Sequence, residues 1–373
     1  MSDSEEGPAI ETPLCRLFGI RYPIVQTGMG WVAGSKLTAA TSEAGGLGIL
    51  AAATLTYEEL ESEIRAVKES TTKPFGVNLR TDQEDVAKRT ALLIREKVRV
   101  ASFAQAPGEK VVKTLQDAGL CVVPTIGARR HAEKVAQWGV DAVIAQGHEG
   151  GGHTGQVSTS ILLPQVCDVV DIPVIGAGGF FDGRGLVAAL AYGAAGVAMG
   201  TRFLMTKESQ IPNVVKDAYL SAKASETVVT TEIDGYPQRV IRTPFIKRLE
   251  QTGVVQRYVM ALRAALSLKK LTGASLVGLM KEGLAMRTQR QLSWPQLLLA
   301  ANAPIMTKST MQDGHLEMGI LPTGQVVGMI ENLPSVEEVV GQIMQEASFV
   351  MNQMESFSAP KSKSMDETGG NDE

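Results

Sequence analysis

The chain has 373 residues, of which 44% are hydrophobic and 20% charged, with a net charge of −4 at pH 7. That balance supports a sizeable core and excludes a largely disordered chain, and the length admits one large domain with an appendage or two domains. It holds no long Lys/Arg run, so nucleic acid is not an expected partner.

No apolar run reaches the roughly 18 residues of a membrane span. The first residues, Met1-Ser2-Asp3-Ser4-Glu5-Glu6, are acidic, unlike a signal peptide. Three cysteines, Cys15, Cys121 and Cys167, fit a reducing compartment and give no metal spacing, so a cytoplasmic location is expected. Cys121 opens an apolar run and reads as core.

Residues 1–12 read as a flexible lead. Apolar runs and helix-like stretches then alternate. The runs are Pro23–Gln26, Gly46–Ala52, Pro74–Leu79, Val98–Phe103, Cys121–Ile126, Ala142–Gln146, Ile172–Gly176 and Gly196–Gly200. Among the segments between and after them, Tyr57–Ser70, Glu84–Lys97, Glu109–Ala118, Arg129–Trp138 and Ile211–Ser221 carry apolar residues at helical spacing. Strands that are apolar throughout, rather than alternately, belong to a parallel sheet covered on both faces, and parallel neighbours need crossover helices. Eight such units in residues 22–222, at about 25 residues each, predict an α/β fold: a (β/α)8 TIM barrel. A doubly wound sheet is the competing architecture, but glycine-rich strand ends recur here rather than following the first strand alone.

After residue 222 the pattern changes. Thr227–Thr243 alternates around Asp234-Gly235, which predicts a hairpin. Helices are expected at Pro244–Gln251, Tyr258–Lys270 and Ser275–Arg290, with another starting at Trp294-Pro295. Gly319–Ile330 reads as a returning strand or loop, and Val336–Met351 as a final helix. The expected division is a barrel with its return (13–222 and 317–352), a C-terminal, mainly helical insertion or lid domain (223–316), and a disordered tail (353–373).

Barrel chemistry lies in the loops after the strands. The richest is 146–155, Gln-Gly-His-Glu-Gly-Gly-Gly-His-Thr-Gly, with five glycines in ten residues, two imidazoles and a carboxylate. Such a stretch forms neither a stable helix nor a packed strand, and can lay bare backbone N–H groups against a ligand. His148 and His153 are five apart, which does not place both on one helix face, so a metal site is not expected. Hydrogen bonding within the loop is the plainer alternative to acid–base work by one imidazole; His153, after three glycines, is the candidate. Glu149 reads as a turn or supporting group, and His131 and His315 as surface residues. Gly178-Gly179 and Gly200-Thr201 follow the seventh and eighth runs, where barrels often bind phosphate, although each could be only a tight turn. Asn78 ends the third run, either stapling a loop or binding a ligand.

The motifs Pro23-Ile24-Val25-Gln26-Thr27-Gly28-Met29, Gly76-Val77-Asn78, Gln146-Gly147 through Gly155, Pro173 to Gly179, Met199-Gly200-Thr201-Arg202-Phe203 and Gly324 to Gly328 resemble the FMN-dependent nitronate monooxygenase family, once called 2-nitropropane dioxygenases. That family also contains flavin-dependent enoyl reductases and NADH:quinone reductases. The resemblance covers roughly 13–347. It implies FMN at the C-terminal mouth, with Gly28 and Met29 along the ring system, Asn78 at its polar edge, Gly151 and Gly152 along the ribityl chain, and Gly178, Gly179, Gly200 and Thr201 at the phosphate. Gln325 would reach the site from the return, and Gly30, Thr125, Gln146, Ala177 and Met199 complete the expected cofactor contacts. His153 falls on the family's catalytic histidine. His148 and Gly150 depart from the usual pattern, and the style of 180–185 with the long helical block is similar to actinobacterial members tied to steroid-ring catabolism.

The leading expectation is an oxidoreductase that converts alkyl nitronates with O2 to a carbonyl compound and nitrite. The second is an NAD(P)H-dependent reductase acting on an acyl-CoA or a steroid-derived enone or quinone. The third is a flavin-binding sensor without turnover. A small-molecule substrate is common to the two enzyme readings, and a homodimer is left open.

Overall fold

The computed structural model describes residues 10–251 and 294–358. All eight apolar runs become parallel strands of one closed barrel. In order these are β1 (Ile24–Gln26), β2 (Leu47–Ala51), β3 (Phe75–Leu79), β4 (Val100–Phe103), β5 (Cys121–Ile126) and β6 (Val143–Gln146). A two-residue strand outside the barrel, β7 (Gly152–His153), precedes β8 (Val174–Ala177) and β9 (Gly196–Met199), and β9 pairs with β1 to close the cylinder. The barrel strands are buried almost throughout, because helices cover their outer face and side chains fill the inside.

The helices are α1 (Pro13–Phe18), α2 (Ser35–Glu43), α3 (Tyr57–Ser70), α4 (Val86–Arg95), α5 (Glu109–Asp117), α6 (Arg129–Gln137), α7 (Thr159–Cys167), α8 (Gly183–Ala191), the single turn α9 (Thr201–Leu204) and α10 (Asn213–Leu220). α3 shows how the sequence sets them. Thr56 Oγ1 accepts from Glu59 N at 3.2 Å and Glu59 Oε2 accepts from Thr56 N at 2.7 Å, a reciprocal cap. Leu60, Ile64 and Val67 then bury one stripe, and Glu61 pairs with Arg65 on the open side.

α1 starts one residue after the expected lead. Its Leu14, Cys15 and Phe18 join Val25, Ile49, Val100, Ile144 and Ile175 in one cluster, so it plugs one end of the barrel interior. Cys121 is buried in the same cluster, and burial pushes its thiol up.

Beyond the barrel, β10 (Thr227–Thr230) and β11 (Gln238–Ile241) form the expected antiparallel hairpin. The connection spans residues 231–237 rather than Asp234-Gly235 alone. α11 (Pro244–Gln251) begins at its expected residue, and residues from Trp294 on are helical as expected, in α12 (Trp294–Met311). The helices expected at 258–270 and 275–290 lie outside the described residues. Ile233, Val240, Ile246, Leu249, Ala303, Met306 and Ile320 form a small core of their own.

The return at 319–330 is a loop carrying one isolated bridge, Pro322 to Val240, followed by a 3-10 turn at Gln325–Met329. The last helix, α13 (Val336–Ser358), runs past the expected end at Met351, so residues 353–358, expected in the tail, are helical. α13 packs against α8 and α2 and takes the place between them in the outer ring. The spacing offers Ile211–Ser221 as the eighth helix; α10, which forms there, packs on the return instead. Among the described residues no helix is long and apolar enough to cross a membrane.

Candidate active site at the barrel mouth

Parallel strands put all their C-terminal ends on one face, so the loops singled out in the sequence converge. Gln26 pairs with Met199, Gln146 with Ala177, and Ala177 with Ala198, which sets the ends of β1, β9, β8 and β6 side by side. A Cβ on Gly200 would meet Thr27 Oγ1 at 3.2 Å and Met29 Sδ at 3.4 Å, so the loops after β1 and β9 touch. Gly28 lies against Asn78: an added Cβ would stand 2.4 Å from the Asn78 Cβ. Asn78 Nδ2 donates to Ser102 Oγ at 3.2 Å, which fixes the amide across β3 and β4. Thr125, half-buried, is the penultimate residue of β5 and pairs with Ile144, and Gly30 packs against Thr54.

Loop 146–155 is held from several sides. His148 Nδ1 lies 2.9 Å from the Gly155 carbonyl, so it carries the proton and donates; this imidazole staples the loop. Glu149 Oε2 accepts from Thr159 N at 2.9 Å and faces Thr159 Oγ1 at 2.8 Å, closing the first turn of α7. Gln146 Nε2 donates to the His153 carbonyl at 2.7 Å. Arg239, buried in β11, donates to the His148 carbonyl from Nη2 at 3.1 Å and to Thr227 Oγ1 from Nη1 at 3.0 Å.

The return closes this loop. Gln325 N donates to the Glu149 carbonyl at 3.0 Å, and Gly324 N donates to Thr201 Oγ1 at 2.8 Å. Gly151 is where the two segments meet: a Cβ there would stand 2.5 Å from the Thr323 carbonyl carbon and 2.6 Å from Gly324 N. Gly178, with φ at +90°, is likewise pressed on the Gly147–Gly150 backbone. Two glycines differ. Gly152 has φ at +65° and no heavy atom within 4 Å of where its Cβ would stand, and the nearest atom to such a position on Gly179 is Glu149 Cβ at 3.5 Å.

His153 closes the arrangement. Gly152 and His153 add a third strand to the hairpin, pairing with Arg239 and Gln238. The ring's Nε2 lies 2.7 Å from Asp234 Oδ2, and its edge meets Tyr236 with centroids 5.9 Å apart. The His153 side chain is 63% exposed and that of Asp234 17%. Burial pushes the Asp234 carboxyl up, but the His153 hydrogen bond and charge, with the Tyr236 amide, hold it below its ordinary value.

Some residues here were not singled out from the sequence. Asp234 read only as a turn residue. Gln26 ends an apolar run, a signal in itself: fully buried, it donates to the Thr27 and Ile49 carbonyls and accepts from Ile49 N. Arg202, buried against the Phe181 ring, is pushed down to about 10 by burial. His131 stands exposed on α6, and His315 lies 3.1 Å from Glu317.

Comparison with known proteins agrees with this architecture. The family described as nitronate monooxygenase matches residues 11–346. The chain is 53% identical over 338 residues to a (3aS,4S,5R,7aS)-5-hydroxy-7a-methyl-1-oxo-octahydro-1H-indene-4-carboxyl-CoA dehydrogenase of Rhodococcus jostii (strain RHA1), covering 91% of this chain and 96% of that protein. It is 34% identical over 284 residues to a probable nitronate monooxygenase of Staphylococcus aureus (strain MSSA476), covering 64% of this chain and 80% of the relative. FabK from Thermotoga maritima superposes with a TM-score of 0.76 at 32% identity, over 93% of this chain and 99% of that one. By sequence and by fold, the chain belongs to the nitronate monooxygenase family and is an oxidoreductase.

Proposed function

We propose that this chain is an FMN-dependent oxidoreductase whose substrate is a fused-ring carboxyl-CoA thioester. The observation that carries the reading is the 53% identity over 96% of the length of a relative named for that substrate class. The residues at the mouth fit a phosphorylated flavin: backbone at Gly152 borders open space where a side chain would otherwise project, and a Cβ on Gly179 would meet only the Glu149 side chain, at 3.5 Å. On this reading Gly178, Gly179, Gly200 and Thr201 hold the phosphate by backbone N–H groups. Gly28, Met29, Gly30 and Asn78 border the ring system, and Gly151 and Gly152 the ribityl chain. Thr125, Gln146, Ala177, Met199 and Gln325 complete the wall.

Bound flavin supplies a two-electron acceptor or donor. His153 exchanges the proton that accompanies the electron pair, NAD(P)(H) being the electron partner in solution. α12 reaches the loop after β1 through Lys308 over the Trp31 ring at 5.8 Å, and on this reading it borders a bulky substrate.

A second reading, oxidation of an alkyl nitronate with O2, is favoured by the family match and by the staphylococcal relative. Anaerobic titration of flavin-loaded enzyme separates the two. Bleaching of the visible flavin band by the fused-ring CoA thioester, with no nitrite from propionate-3-nitronate in air, is the expected result. Nitrite release with no bleaching by the thioester selects the second reading. A colourless protein that takes up no FMN ends both.

A further inference from the structure

Asp234 and His153 come from opposite sides of the β7–β11 ladder, 81 positions apart in the chain. The His153 backbone is fixed by that ladder, by Gln146 on its carbonyl, and by the next residue, whose Thr154 N donates to the Pro237 carbonyl at 3.1 Å. What remains free is rotation of the ring and the choice of which nitrogen carries the proton. Nε2 stands 2.7 Å from Asp234 Oδ2, and a carboxylate only accepts hydrogen bonds. The other oxygen, Oδ1, accepts from Tyr236 N at 3.1 Å, which fixes the carboxylate plane.

We infer that Asp234 is a positioning residue: it holds neutral His153 as the Nε2–H tautomer and makes Nδ1 the nitrogen that exchanges a proton with the substrate. The inference rests on the reading of His153 as the proton-exchanging group. The carboxylate is the sheltered partner and the imidazole the open one, as an orienting pair requires. A pair serving only to tie the hairpin to the loop would leave the tautomer without consequence for turnover.

The geometry sets a test that separates these roles. In Asp234→Asn, the Tyr236 amide N–H still needs an acceptor, so the amide oxygen stays on it and the NH2 group turns to Nε2. That donor forces the proton onto Nδ1, the wrong tautomer. Asp234→Ala removes the constraint without imposing its opposite. An anchoring role ranks Ala as at least as damaging as Asn; a tautomer-setting role ranks Asn as worse.

The experiment uses flavin-loaded full-length enzyme labelled with 15N-histidine. The chain has four histidines, and His153→Gln assigns the signal. Long-range 1H–15N spectra at a pH where imidazoles are neutral are expected to show the Nε2–H pattern in the wild type, the Nδ1–H pattern in Asp234→Asn and a mixture in Asp234→Ala. With substrate, kcat is expected to fall on the order of 100-fold for Asn and about tenfold for Ala, with KM within about threefold. An Nε2–H pattern persisting in Asp234→Asn, or Ala proving as damaging as Asn, overturns the inference. If neither proposed substrate turns over, the reading above fails, and the NMR pattern still decides whether Asp234 sets the tautomer.

Discussion

Gly151→Ala tests the contact on which the mouth is built. The added Cβ meets the Thr323 carbonyl carbon at 2.5 Å and Gly324 N at 2.6 Å, both backbone atoms that cannot rotate away. Ordinary carbon contacts begin near 3.5 Å, so the loop and the return must part by about 1 Å. The hydrogen bond from Gln325 N to the Glu149 carbonyl, now 3.0 Å, would stretch to about 4 Å and be lost. One lost backbone bond costs about 1 kcal/mol and overpacking about 1–3 kcal/mol, roughly 2–4 kcal/mol together. At about 2–4 °C per kcal/mol, the midpoint should fall by roughly 4–16 °C.

Gly152→Ala next door is the control, because its cost is only that of a left-handed alanine, about 1–2 kcal/mol, with no atom to collide with. Thermal unfolding with and without excess FMN, and flavin affinity by fluorescence, read both variants. Gly151→Ala should lose stability and flavin affinity together and exceed Gly152→Ala in lost stability. A Gly151→Ala midpoint within about 1 °C of wild type, with unchanged flavin affinity, would refute the close approach as the reason for this glycine.

Tyr219→Phe removes the hydroxyl that donates to the Pro322 carbonyl at 2.8 Å in a fully buried site, so calorimetry should show a loss of about 1–2 kcal/mol. Glu149→Ala strips the acceptor from Thr159 N and should cost about 1 kcal/mol, read as faster amide exchange in the first turn of α7; Glu149→Gln, which keeps an acceptor oxygen, should cost less. The Asp234 carboxyl is depressed in the folded protein. Its contribution is therefore present above the unfolded value of about 3.9 and lost as pH falls through the lower folded value. The stability gap between wild type and Asp234→Asn should be largest near neutral pH, stay under about 1 kcal/mol because His153 is open to solvent, and close on acidification through that range; a gap that does not change with pH would contradict the pairing.

The barrel was legible because strands covered on both faces leave unbroken apolar runs, and all eight strands fall within or beside the runs read from the sequence. β5 matches its run at both ends and β8 runs one residue past its own, while most of the others are shorter than their runs because flanking residues do not join the ladder. α1 escaped because six residues are too few to show a period. The place of α13 in the ring was not legible either, because helical spacing shows which face is buried and not which neighbour covers it. The loops of the mouth were readable as glycine and polar punctuation after strands, but their partners were not. Gly151 reads as a place for a ligand to approach, and nothing in the sequence shows that the return stands where its side chain would be. Asp234 reads as a turn former, and only the folded hairpin brings its carboxylate to His153.

That hairpin has a consequence for how such a chain can change. Two residues of the loop after β6 are spliced into the ladder of the β10–β11 hairpin, with Gln238 facing His153 and Arg239 facing Gly152. Grafting that hairpin from a relative with another specificity would therefore redraw the bonding pattern beside the imidazole as well. Altered selectivity and altered chemistry would be inherited as one trait, and a functional chimera would have to keep residues 234–239 with the host barrel.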